Sequence, residues 1–269
     1  MKKMTNKDVQ KVSLDILKVV HDFCVTNHIK YSLQGGTLLG AIRHNGFIPW
    51  DDDIDIIIPR PDYERFCNIF QSTNKYKLFC REKNECYLAF ARVCEMNETL
   101  VDCELCQWTN EPTGVWIDIF PADGAEDDYS KAKSRVDRAT KIWERGLQIR
   151  RARTNISALD GFMMKLKQVV RKIIYSHQKA VDKHISICKE VEYGSTLHYI
   201  NMAFLGYGMN EYHRTAVLEE TVLHPFEDSK FYIMKGYDEA LKEKYGDYMK
   251  LPPLEQQVPK QDYYKFYWK

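Results

Sequence analysis

The chain has 269 residues, of which 44% are hydrophobic, 29% charged and 13% aromatic, a composition that excludes collagen-like, low-complexity and wholly disordered chains. Its net charge of +1 is unevenly spread: residues 1–130 carry 14 Lys/Arg against 21 Asp/Glu, residues 131–190 carry 16 against 5, and residues 191–269 carry 9 against 12. No stretch approaches the roughly 18 consecutive apolar residues of a membrane span, and the basic N-terminus runs into an amphipathic pattern, so the sequence reads as soluble and intracellular.

Val9, Val12, Ile16, Val19, Val20 and Phe23 recur at helical spacing and predict a helix over 7–27, with Thr5 and Asn6 offering the N-cap. Tyr31–Gln34 is short and β-prone, Gly35-Gly36 ends it, and Thr37–Arg43 suits a short helix. Asp53–Ile58 alternates polar and β-branched residues until Pro59, which predicts a strand. Pro61 then occupies a favoured helix start, with Tyr63, Phe66, Ile69 and Phe70 on one face. Leu88–Val93 and Val115–Phe120 are the next strands, and Leu78–Cys80 is a weaker one. Residues 125–189 read as helical, with breaks near Asn155–Ser157 and Asp160-Gly161. The remainder is irregular and aromatic until a helix at Tyr237–Tyr245, closed by Gly246. The fold class is therefore α+β: a mixed sheet with flanking helices in the first 125 residues, a basic helical appendage over 126–190, and an irregular part over 191–269 that packs on the core.

Five of the eight cysteines fall between Cys80 and Cys106. Cys103 and Cys106 have C-x-x-C spacing, which can hold zinc or form a redox pair, but the ligand set is incomplete. Small buried hydrophobes are the commoner role, and disulfides are not expected without a secretory signal.

The chemistry concentrates in residues 34–56. Asp51, Asp52, Asp53 and Asp55 are four carboxylates within five residues, and they run straight into an apolar strand. Such a cluster repels itself unless a cation or protons neutralise it. On a strand, Asp53 and Asp55 would share one face about 7 Å apart, a pitch suited to Mg²⁺, with Mn²⁺ as the alternative ion. Upstream, Gly35-Gly36 precedes a helix start, where backbone N–H groups can approach a phosphate. A phosphate cradle and a carboxylate clamp in one unit is what phosphoryl transfer from a nucleotide requires. Asp118, alone in the apolar run Trp116–Phe120, would complete the clamp, because a lone buried acid is costly unless paired or metal-bound. Asp123 is a weaker substitute in what reads as a Pro/Gly loop.

Residues 31–63, Trp116–Pro121 and Leu241–Met249 closely resemble the LicD family, whose members look like nucleotidyltransferase-fold proteins with fukutin-related proteins as relatives. The resemblance implies Mg²⁺-dependent transfer of a phospho-alcohol, typically phosphocholine from CDP-choline, to a hydroxyl of a cell-surface glycan such as lipopolysaccharide or teichoic acid. It matches Gly35, Gly36 and Thr37 to the phosphate-binding turn, Asp53 and Asp55 to the metal pair and Asp118 to the third acid. Arg43 and His44 fall in a segment longer than in minimal nucleotidyltransferases. Arg43 and Arg92 are candidate diphosphate donors, and His44 is a candidate base ranked below Asp118.

Two other classes fit the pattern less well. A sugar-nucleotide glycosyltransferase can also hold its metal with D-x-D, but it leaves Gly35-Gly36 and Asp118 without a job. A non-catalytic binding protein on the same fold would show loss of a metal carboxylate, and all three are present. Nucleic acid is not expected, since the basic middle lacks an aromatic-basic motif. Lys165, Lys167, Arg171 and Lys172 lie among apolar residues, a pattern that describes either a helix packing on the core, the commoner case, or peripheral association with the inner face of a membrane.

Overall fold

A computed structural model of the chain describes residues 1–83, 86–102, 108–109, 111–154, 177–203, 208–258 and 264–269, with the backbone alone over 147–154. Cys103 and Cys106 lie outside the described residues, as do Lys165, Lys167, Arg171 and Lys172.

A short strand β1 (Lys2–Lys3) leads into helix α1 (Asn6–Thr26). The Thr5 hydroxyl accepts from the Asp8 N–H at 3.2 Å while the Asp8 carboxylate accepts from the Thr5 N–H at 2.8 Å, a reciprocal cap. Of the predicted apolar face, Val9, Val12, Ile16 and Val20 are buried and Val19 and Phe23 half-buried. Strand β2 (Ser32–Leu33) and helix α2 (Gly35–His44) follow. The helix begins at Gly35, two residues earlier than the sequence suggests, because the Leu38 N–H already bonds the Gln34 carbonyl at 3.1 Å. Gly35 holds φ +58°, a conformation that a side chain would strain. The helix ends in a left-handed Asn45 whose N–H reaches Ala41.

Strand β3 (Asp55–Pro59) carries three fully buried isoleucines, Ile56, Ile57 and Ile58. It starts at Asp55 rather than Asp53, because β2 turns into α2 beyond Gln34 and leaves residues 53 and 54 no partner on that side. Helix α3 (Arg60–Ile69) buries Tyr63 and Phe66, and strand β4 (Tyr76–Phe79) follows. Strand β5 (Ala91–Glu95) lies three residues later than expected, since its pairing begins at Ala91. Strand β6 (Thr99–Asp102) precedes the long β7 (Trp116–Ala125).

Beyond β7, helices α4 (Tyr129–Thr154) and α5 (His177–Cys188) pack together. Fully buried Arg135 binds the Gly124 carbonyl at 2.6 Å and the Cys188 carbonyl at 2.9 Å, tying both helices to the sheet. The C-terminal part holds more regular structure than its composition suggests: β8 (His198–Ile200), β9 (Tyr212–Arg214), α6 (Ala216–Glu219), the hairpin β10 (Thr221–Phe226) and β11 (Ser229–Met234), α7 (Tyr237–Tyr245) and β12 (Lys265–Trp268). Of these, β8 and β12 are short and pair with the distant β7 and with β1 and β6, so they carry little local signal.

Among the described residues the main sheet has seven strands, in the order β2-β3-β7-β5-β4, with β8 on β7 and β9 on β8. The β3–β7 pair is parallel and its other neighbours are antiparallel. This is a mixed α/β architecture of the nucleotidyltransferase-like kind that the resemblance implied. Asp123 lies in β7 and not in a loop. Pro121 inside a central strand explains the misreading. The Asp118 N–H points at β3, bonding Ile54 O at 2.9 Å, so alternation turns position 121 the other way. There β7 has left β5 at Ile119 and not yet met β8 at Asp123, and the missing N–H falls in the gap.

Asp123 is 1% exposed and forms a forked pair with Arg60, 7% exposed, at 2.7 and 2.8 Å. The pair fastens the start of α3 to β7. Arg60→Met should strand the carboxylate in the core and lower unfolding free energy by about 3–5 kcal/mol, measured by urea denaturation. A change below 1 kcal/mol would mean that the pair is not desolvated as its burial indicates. The cysteines at 24, 67, 80, 86, 94 and 188 are free and buried, consistent with a packing role.

Candidate active site

The sheet register builds the site. Asp55 on β3 lies directly beside Asp118 on β7, and Asp118 lies directly opposite Arg92 on β5. Neighbouring strands are about 4.8 Å apart, so one row across three strands reads carboxylate, carboxylate, guanidinium. Arg92 grips Asp118 through Nε at 2.6 Å and Nη2 at 3.3 Å. Its guanidinium also stands 4.3 Å from the Trp116 ring centre and 4.7 Å from that of Trp108. That enclosure fixes the Asp118 carboxylate in orientation.

Helix α2 is locked onto the same row. The Thr37 hydroxyl accepts from the Asp55 N–H at 2.9 Å, and the Gln34 N–H donates to the Asp55 carbonyl at 3.0 Å. Gly35 and Gly36 therefore open the helix against the carboxylates. A methyl group on Gly35 would sit 3.5 Å from Asp55 Oδ2, and one on Gly36 would meet Asp51 Oδ2 at 2.8 Å. At Gly36 a side chain would crowd Asp51, whereas at Gly35 the contact is ordinary and the positive φ is what calls for glycine. Asp51 thus joins the cluster, and its carbonyl is held by Gln10 Nε2 at 2.6 Å.

The electrostatics follow from crowding. Enclosure by protein, then Asp55 and Asp51, push the Asp53 carboxyl well above the usual carboxylate range, although the residue keeps an exposed surface. Burial and then Asp118 do the same to Asp55, partly opposed by Lys244. Burial raises Asp118 as well, against the pull of Arg92. Arg92 is matched to Asp118, and Lys244 on α7 is matched to Glu211. Among the described residues no ion pair matches Asp51, Asp53 or Asp55, so their ionised forms would be charge in excess of the cations present. An all-oxygen donor set with excess charge fits a hard divalent cation.

The structure thus brings together Gly35, Gly36, Thr37, Asp53, Asp55 and Asp118, with Arg92 behind Asp118. Arg43 and His44 end α2, about 12 Å along its axis from Gly35 at 1.5 Å per residue. Arg43 Nη1 donates to the Tyr248 and Lys250 carbonyls at 3.0 and 3.4 Å, and its Nε donates to His44 Nε2 at 3.0 Å. Burial and Arg43 lower the His44 proton affinity. Arg43 thus fastens the C-terminal segment to α2, and His44 accepts from Arg43. Glu211 and Lys244 did not stand out in the sequence, because both reach the site across distances invisible to local pattern. The motif Leu241–Met249 was the one signal that marked their neighbourhood.

A mixed sheet bearing carboxylates on adjacent parallel strands beside a glycine-opened helix defines a nucleotidyltransferase-type phosphotransferase. Residues 28–147 match the family model described as LicD/FKTN/FKRP, nucleotidyltransferase domain. Over 96% of its length the chain is 32% identical to lipopolysaccharide cholinephosphotransferase LicD of Haemophilus influenzae, covering 97% of that protein. Shorter matches are to human ribitol 5-phosphate transferase FKRP, 57% identical over 28 residues (10% of this chain, 6% of that one), and to an uncharacterised Rickettsia typhi protein, 48% identical over 54 residues (20% and 18%). The chain belongs to the LicD family and is a phosphotransferase of that type.

Proposed function

We propose that the protein transfers phosphocholine from CDP-choline to a hydroxyl of a cell-surface glycan of the lipopolysaccharide kind, with Mg²⁺ as cofactor. The observation that carries this reading is the row in which Asp55 lies beside Asp118, with Asp55 and Asp51 against the glycine-opened start of α2 and Asp53 near enough to be perturbed by Asp55 and Asp118. The full-length likeness to a lipopolysaccharide cholinephosphotransferase supports the choice of donor and acceptor. The three aspartates would hold the cation, which supplies charge neutralisation for the donor diphosphate. The first-turn N–H groups of α2 face the phosphates. Arg92 keeps Asp118 aimed along the row, and Thr37 keeps Asp55 there. The acceptor oxygen forms a bond to the choline-bearing phosphorus, the bridging P–O bond breaks, and CMP leaves while the hydroxyl proton passes to a carboxylate. Nucleotide donors are cytosolic molecules, so the reading puts the reaction on the cytoplasmic side. No helix among the described residues is long and apolar enough to cross a membrane.

The test is a panel of CDP-alcohols incubated with the protein, Mg²⁺ and lipopolysaccharide-type acceptor. CDP-choline is expected to release CMP fastest, and EDTA to stop release. Release of a nucleoside diphosphate from sugar nucleotides instead would mark a glycosyltransferase and overturn the proposal.

A further inference from the structure

We propose that Lys244, on helix α7, is a phosphate-binding residue of the donor site. It lies almost one hundred residues beyond the segment that the family model matches. The proposal rests on reading the start of α2 and the carboxylate row as a nucleotide-donor site, and it gives the cation facing the phosphates to α7 rather than to Arg43.

Two observations place the ammonium at the phosphates, and a third marks the neighbouring space as one a ligand would complete. First, Lys244 Nζ stands 3.6 Å from the point where a Gly35 side chain would begin, and Asp55 Oδ2 stands 3.5 Å from the same point. The ammonium group is therefore alongside both the opening turn of α2 and the carboxylate row. A phosphate drawn to the N–H groups of that turn would come within reach of it. Second, the lysine is held there by a buried carboxylate. Lys244 pairs with Glu211, which is 2% exposed, and the other Glu211 oxygen accepts from Gln34 Nε2 at 2.6 Å. A buried ion pair contributes little to stability relative to apolar residues of similar volume, so stability alone gives little reason for one at this position. Third, Gln34 is 5% exposed and its Oε1 has no hydrogen-bond partner. Buried amide oxygens are rarely left so. It borders a cleft of about 20 Å³ lined also by Gly35, Tyr199, Glu211, His213 and Lys244. Phosphate oxygens only accept, so the Lys244 ammonium and the N–H groups opening α2 would hold the phosphate, while the Gln34 oxygen would take a hydroxyl donor of the ligand.

Arg43 is engaged elsewhere, its Nη1 on the Tyr248 and Lys250 carbonyls near the far end of α2. Lysine acts at such a site as a point charge on a flexible stem. It can lean from Glu211 toward a phosphate oxygen without any movement of α7.

The experiment uses the full chain with saturating Mg²⁺ and inorganic pyrophosphate as the probe, titrated calorimetrically. Removing one member of a buried pair can unfold a protein, so the main variant is the double Lys244→Gln, Glu211→Gln, which removes both charges and keeps the shape. It should bind pyrophosphate at least ~10-fold more weakly, the effect of losing a charge-assisted hydrogen bond. Its Mn²⁺ affinity, read by electron paramagnetic resonance without pyrophosphate, should change less than twofold. Lys244→Arg should retain most pyrophosphate binding. Wild-type pyrophosphate affinity in the double variant would overturn the proposal and leave Lys244 as the partner of Glu211, as would failure of the wild type to bind pyrophosphate. If no CDP-alcohol yields CMP yet pyrophosphate binding depends on Lys244, the proposed donor is wrong and the phosphate contact stands.

Discussion

Asp53→Asn and Asp55→Asn should each lower turnover at least ~100-fold while the fold persists. Loss of a partner merely behind a metal ligand costs 10–100-fold, so loss of a ligand carboxylate should cost no less. The stability effect runs the other way in the metal-free protein. Both carboxyls have proton affinities raised first by enclosure, then Asp53 by Asp55 and Asp55 by Asp118. A group whose folded pKa lies above its unfolded value binds more protons when folded, so stability falls as pH rises through that window. At neutral pH the ionised cluster therefore weighs against folding, and either asparagine relieves part of that load. The melting temperature of metal-free Asn variants should equal or exceed the wild type's at pH 7, and the wild type alone should gain steeply on adding Mn²⁺. Near-full turnover in either variant at saturating Mg²⁺ would remove the two-carboxylate site.

Asp118→Asn should lower the rate at least ~10²-fold, the range for a general base or a ligand. This variant also leaves Arg92 facing an uncharged amide inside an aromatic enclosure, so it should be less stable than the wild type. The two effects separate when turnover is expressed per folded molecule, with the folded fraction taken from circular dichroism. Were Asp118 only the anchor of Arg92, turnover per folded molecule would stay near wild type.

Much of this was legible in the sequence for a physical reason. Asp53, Asp55 and Asp118 interrupt apolar runs, and an acid in such a setting demands a partner whatever the tertiary fold. The same holds for Gly35-Gly36 between a strand and a helix. The outline of α1, α3 and α7 followed from apolar spacing and caps. What pattern could not supply was partnership across the chain. Gln34 and Glu211 meet across 177 positions, and Arg43 finds its acceptors more than 200 residues away. Arg43 near a glycine-rich turn looked like a phosphate ligand because sequence proximity was the one available measure of distance. Ten residues of helix carried it to the other end. Asp123 was misread for a related reason. Its flanking Pro121 and Gly124 signal a loop locally, and the strand tolerates them through the changeover of neighbours from β5 to β8.

The tip of the β10–β11 hairpin looks like an ideal place to splice in an affinity tag or fluorophore, since loop tips ordinarily accept insertions. Here Glu227 at that tip, held at φ +55°, takes the Phe47 N–H on its carboxylate at 2.9 Å and gives its own N–H to the Asn45 carbonyl at 2.8 Å. A side chain on Gly46 would collide with it. The hairpin thus clasps the segment that runs into Asp51–Asp55, and a label spliced there would pull on the aspartate cluster from outside. Labelling is better directed to the exposed stretch around Leu254, which is 80% exposed.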